Sequence, residues 1–121
     1  MKFARIVFWI AGIWGILILT PLYFMFNQIG LHDPPPITHP AFYYGFISVA
    51  LAFQIAFIVI ARDPTRLRPM MIPSMIEKFA GGFTFVVLYL QHRLTPGDLA
   101  LGCIDLLFGV LFVAAFFKAT N

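Results

Sequence analysis

Apolar residues fill this chain in four long stretches, separated by short clusters of proline, charge and small polar residues. Taking about 20 apolar residues for one bilayer crossing, these stretches predict helical spans at about 3–26, 41–61, 70–91 and 99–117. The breaks are well marked. Asp33-Pro34-Pro35-Pro36 and His39-Pro40 precede the second span, Arg62-Asp63-Pro64 follows it, and Thr95-Pro96-Gly97-Asp98 precedes the fourth. Each cluster stops or starts a helix. The expected fold is all-α: a single domain over 1–121 that forms an integral membrane, antiparallel four-helix bundle, its short connections making neighbours in sequence neighbours in space. Gly12, Gly15, Gly81, Gly102 and Gly109 are the expected points of close helix contact.

Composition sharpens this picture. The chain is 61% hydrophobic and 11% charged, with a mean hydropathy of +0.92, against roughly 45–50% and 25% in a soluble domain. That excludes a soluble globule and intrinsic disorder. One cysteine, Cys103, excludes a disulfide scaffold, and a net charge of +3 is too small for a nucleic-acid partner. Lys2, Arg5, Arg62, Arg66, Arg68 and Lys118 fall at the amino-terminal side of the spans and Arg93 alone at the other, so both termini are expected in the cytoplasm. Tyr23, Phe24, Tyr43, Tyr44 and Tyr89 mark the outer boundary, and Trp9 the inner one. The first apolar stretch exceeds a signal-peptide core and is expected to be retained.

Charged groups in hydrocarbon each need a reason, because Asp, Lys or Arg at a helix centre costs about 2.5–3.5 kcal/mol on insertion scales. Three lie inside the spans: Glu77, Lys78 and Asp105. Helical spacing places Glu77, Gly81, Thr84, Leu88 and Gln91 on one stripe, Gly102, Asp105 and Gly109 on another, and Arg5, Phe8, Gly12, Gly15, Leu19 and Tyr23 on a third. With 1.5 Å rise per residue, Glu77 and Asp105 are expected in layers on the order of 10 Å apart. The inner layer then holds Arg5, Gln54 and Glu77, with Trp9 close by, and pairs Arg5 with Glu77. The outer layer holds Tyr44, Ser48, Thr84 and Asp105. Lys78, about 100° round the helix from Glu77, is expected to extend to the cytoplasmic interface. Each layer reads either as a structural hydrogen-bond cluster or as the lining of a ligand or proton site.

Candidate chemistry elsewhere is thin. His32, Asp33 and His39 have no fourth partner for a metal, Asp33 before three prolines reads as a turn residue, and no histidine lies within a span to hold haem. Cys103 has no base near it in sequence. No cofactor is expected, and no nucleophile-base pair, metal set or phosphate loop can be assembled. The expected function is therefore non-catalytic: an accessory or assembly subunit, or a binder of a lipophilic ligand between the helices. Its partners would be membrane lipids, with a homo-oligomer or larger membrane complex possible. The alternative is a small homo-oligomeric proton- or cation-coupled transporter using Glu77.

The residues Phe42-Tyr43-Tyr44-Gly45-Phe46, Gln54, Ala61-Arg62-Asp63-Pro64 with Arg66, Arg68 and Pro69, and Glu77-Lys78 together resemble small bacterial four-span membrane proteins. That resemblance covers the second and third spans best. It implies a bacterial inner membrane location and carries over no catalytic residue. In architecture alone the chain is also similar to DoxX-like and small multidrug resistance proteins. The latter place an essential carboxylate in the first span, where this sequence has none.

Overall fold

The computed structural model describes residues 2–32 and 36–119, and among these every regular element is helical. Five α-helices follow in order: α1 (Lys2–Leu19), α2 (Phe26–His32), α3 (Pro40–Arg62), α4 (Met71–Leu90) and α5 (Pro96–Lys118). Four helical stretches, Lys2–Phe24, Pro40–Arg62, Arg68–Leu90 and Pro96–Lys118, are long and apolar enough to cross a membrane. Their outward faces carry large apolar side chains such as Leu17, Phe42, Ile76, Val87 and Val110.

Proline sets most of the boundaries. Pro21 cannot donate into a helical ladder, so α1 ends at Leu19 and the chain tightens into a 3-10 segment, Thr20–Phe24. The first predicted span is thus interrupted, and its last residue, Phe26, instead begins the short α2. Pro40 and Pro96 occupy the first turns of α3 and α5, where their missing N–H is no loss. The Thr95 hydroxyl accepts the Asp98 amide at 3.2 Å and caps α5. That start lies three residues before the expected Leu99. At the end of α4 the Arg93 amide reaches the Leu88 carbonyl at 2.8 Å, with His92 at φ 59° making the reversal.

The helices pack as two tight pairs. Between α1 and α3, Gly12 and Gly15 let the backbones close: a Cβ on Gly12 would lie 2.6 Å from Ile58 Cγ1, and one on Gly15 would overlap the Gln54 amide. Between α4 and α5, a Cβ on Gly82 would lie 2.6 Å from Leu106, and one on Gly102 the same distance from Phe85. The pairs join through α1 and α5, whereas α3 and α4 touch sparsely. The Phe8 ring stacks on Phe112 at 4.1 Å, and Phe57 meets Phe112 edge-on at 5.0 Å. Ala4, Ala11, Ala61 and Ala115 are fully buried around these rings. This cluster belongs to the end carrying both termini, where the Lys118 ammonium lies 4.6 Å over the Phe3 ring and Arg68 donates to the Phe116 carbonyl at 2.7 Å.

Candidate functional site

Past the aromatic cluster the two pairs separate and leave a cavity of about 330 Å³. Trp14, Gly15 and Ile18 of α1, Tyr43, Phe46 and Gln54 of α3, Glu77, Lys78 and Gly81 of α4, and Asp98 and Asp105 of α5 stand in its wall. Ile29 of α2 also lines it, and α2 is anchored over this end by Phe26, whose ring meets Tyr43 at 5.2 Å and Tyr44 at 5.6 Å.

The charged centre is Lys78. It is 3% exposed, its ammonium donates to Asp105 Oδ1 at 3.2 Å, and Glu77 Oε2 lies 3.8 Å away. Its other neighbours are the faces of Phe57 and Phe108, with centroids at 5.2 and 5.6 Å, which also attract a cation. A buried ammonium is held by compensation from several sides, and here two carboxylates and two rings provide it. Glu77 and Asp105 are only partly covered, with side chains 23% and 34% exposed.

This arrangement corrects the predicted layers. Arg5, expected beside Glu77, is exposed, as is Trp9, and the cation beside Glu77 is Lys78, which was expected to extend to the interface. Glu77 and Asp105, expected in separate layers, meet at one ammonium. Beginning α5 at Pro96 moves Asp105 about 4.5 Å deeper than a start at Leu99, and the long lysine stem spans what remains. The packed face of α4 is Met71, Ser74, Lys78 and Gly82, one residue round from the predicted stripe. Thr84 and Gln91 point outward, and a Cβ on Gly81 would meet only Asp105 Oδ2, at 3.5 Å.

The outer layer disperses. Ser48 donates to the Tyr44 carbonyl at 2.9 Å and lies 2.6 Å from the Tyr23 hydroxyl. Thr84 returns its hydroxyl to the Ala80 carbonyl at 2.7 Å. Gln54, by contrast, is 1% exposed. Its Nε2 donates to the Ala50 carbonyl at 2.9 Å, while its Oε1 has no hydrogen-bond partner among the described residues. Glu77 Oε2 likewise accepts no hydrogen bond.

Chemically the site combines an apolar chamber with one charged cluster, in which Glu77 and Asp105 stand against the Lys78 ammonium. Among the described residues no three His, Cys, Asp or Glu side chains converge on a metal position, and Asp33 lies outside the described residues. Lys78 is the residue that helical spacing missed. The available signal was charge: a cation beside Glu77 in the third apolar stretch and a lone anion, Asp105, deep in the fourth. No family model, curated protein or solved structure matches the chain.

Proposed function

We propose that this is a non-catalytic, multi-pass protein of a bacterial inner membrane, an antiparallel four-helix bundle with both termini cytoplasmic, that binds a lipophilic ligand between its helices. The cavity is the observation that carries this reading. It has the size of a small-molecule site, mostly apolar walls and a few convergent polar groups. The Phe57 and Phe108 rings packed beside Lys78 toward the terminal end favour a binding chamber over a continuous path. The sparse seam between α3 and α4 gives a lipophilic body a sideways route from the bilayer, so membrane lipids are its natural neighbours. The preference of Lys and Arg for the terminal end supports the orientation. Lys78, engaged by two carboxylates, is poorly placed to act as a nucleophile or base, which favours binding over catalysis.

Mass spectrometry of the purified protein under native conditions tests the proposal. A defined lipophilic molecule should co-purify with the wild type and be lost from Gly81→Leu, whose side chain would fill the chamber. A ligand-free wild type that also takes up no added lipophilic probe would overturn it. A homo-oligomeric carrier exchanging protons or cations at Glu77 is the second reading, favoured by the access of Glu77 to the cavity. It requires flux into proteoliposomes that disappears in Glu77→Gln.

A further inference from the structure

We infer that the terminal end of the molecule holds an anionic phospholipid, its phosphate on Arg68 with Arg62 and Lys118 adding charge. This surface lies apart from the cavity, and the inference shares only the membrane placement proposed above. Three observations lead there. The first is charge. Lys2, Arg5, Arg62, Arg66, Arg68 and Lys118 come from the start of α1, the α3–α4 connection and the end of α5. Contacts of Lys118 with Phe3 and of Arg68 with Phe116 bring these segments to one end. The one acid among them, Asp63, lies 3.6 Å from Arg66, with both side chains well exposed, and such a pair holds little. Arg62 is exposed and makes no ion pair among the described residues.

The second is the fixed posture of Arg68. Its Nε donates to the Phe116 carbonyl at 2.7 Å, one of the last-turn acceptors that a helix leaves open, and its guanidinium lies 3.8 Å over the Phe116 ring. That bond uses one of five donors, so the guanidinium is held in place while its terminal nitrogens keep donors for an anion. Phosphate matches their planar fork. The third is the apolar company of these cations. Met70 and Phe117, within two residues of Arg68 and Lys118, are 47% and 68% exposed. A phosphate site beside outward-facing apolar side chains fits a lipid, whose chains would lie along them, whereas an acidic peptide or nucleic acid would leave that surface in water.

The experiment titrates full-length protein in detergent micelles with phosphatidylglycerol and phosphatidylcholine and counts bound lipid by native mass spectrometry. Phosphatidylglycerol should bind at least about tenfold more tightly. One basic residue near a headgroup is worth about fivefold, so the preference should fall by about that factor in Arg68→Gln, Arg62→Gln and Lys118→Gln each. It should stay unchanged in Arg93→Gln at the opposite end. Arg68 also ties the start of α4 to the end of α5, so the two exposed positions carry the test if Arg68→Gln does not fold. Equal affinity for the two lipids would overturn the proposal, as would an equal loss in Arg93→Gln, which would mean attraction to net charge alone. Glycerol phosphate displacing phosphatidylglycerol at similar concentration would make this a soluble-anion site and overturn the lipid. A protein that stays monodisperse without detergent and takes up neither lipid would instead overturn the membrane placement itself.

Discussion

The terminal half and the cavity half of this molecule are built from the same four long helices, yet one is filled and the other is not. In the terminal half, fully buried alanines at positions 4, 11, 61 and 115 bring α1, α3 and α5 together, and Phe8, Phe57 and Phe112 fill what lies between. Above them, close approach is confined to the interiors of the two pairs, at Gly12 and Gly15 on one side and Gly82 and Gly102 on the other. The seam between α3 and α4 has no such contact, and polar groups stand where the rings would be. Where both helices of an interface offer small residues the gap closes. Where Glu77, Lys78 and Asp105 stand instead, the charges take one another as partners and the helices do not close.

The largest expected effect strikes the border between the halves. Lys78→Met leaves Glu77 and Asp105 facing each other without a cation, and should destabilise the protein by about 3–5 kcal/mol, the range for breaking a buried ion pair. Thermal unfolding of the detergent-solubilised protein measures it. Adding Glu77→Gln and Asp105→Asn to Lys78→Met should restore most of the loss, and an additive triple variant would show that the three groups do not act together.

Phe112→Ala attacks the filled half. In the bilayer proposed above, lipid would solvate an exposed ring about as well as protein does, so chiefly the packing part of the usual cost should apply, on the order of 2 kcal/mol. If the aromatic cluster closes the chamber, the substitution should also enlarge the space that lipophilic probes can occupy, read as a change in probe stoichiometry.

Two adjacent glycines sharpen the contrast within α4. Gly82→Ala places a methyl against Leu106 and the Gly102 carbonyl and should cost about 1–3 kcal/mol. Gly81→Ala faces the chamber and should stay within about 0.5 kcal/mol. The reverse order would mean that α4 is rotated from the orientation described. The smallest effect is Arg5→Ala: an exposed side chain on the outer surface of the terminal half should change stability by less than about 0.5 kcal/mol, whereas a loss of several kcal/mol would restore Arg5 as the partner of Glu77.

Hydropathy and punctuation alone determined the four long apolar helices, because proline and run length act on the backbone locally, without reference to neighbours. The small-residue faces of α1 and α5 were also legible: Phe8, Gly12, Gly15 and Leu19 are buried together, as are Gly102 and Gly109. The break at Pro21 was written in the sequence too, but a continuous apolar run concealed it. The partner of Glu77 was decided only by tertiary structure. Periodicity places residues 77, 78, 81 and 82 on one side of α4 and leaves open which of them point inward. The choice of Lys78 and Gly82 depends on Leu106 and Asp105, which α5 brings alongside. A lysine judged on its own helix extends toward water, whereas beside a second carboxylate and two aromatic faces its charge is compensated where it lies. The cavity likewise belongs to no single span, since it is the space left where two well-packed pairs fail to meet.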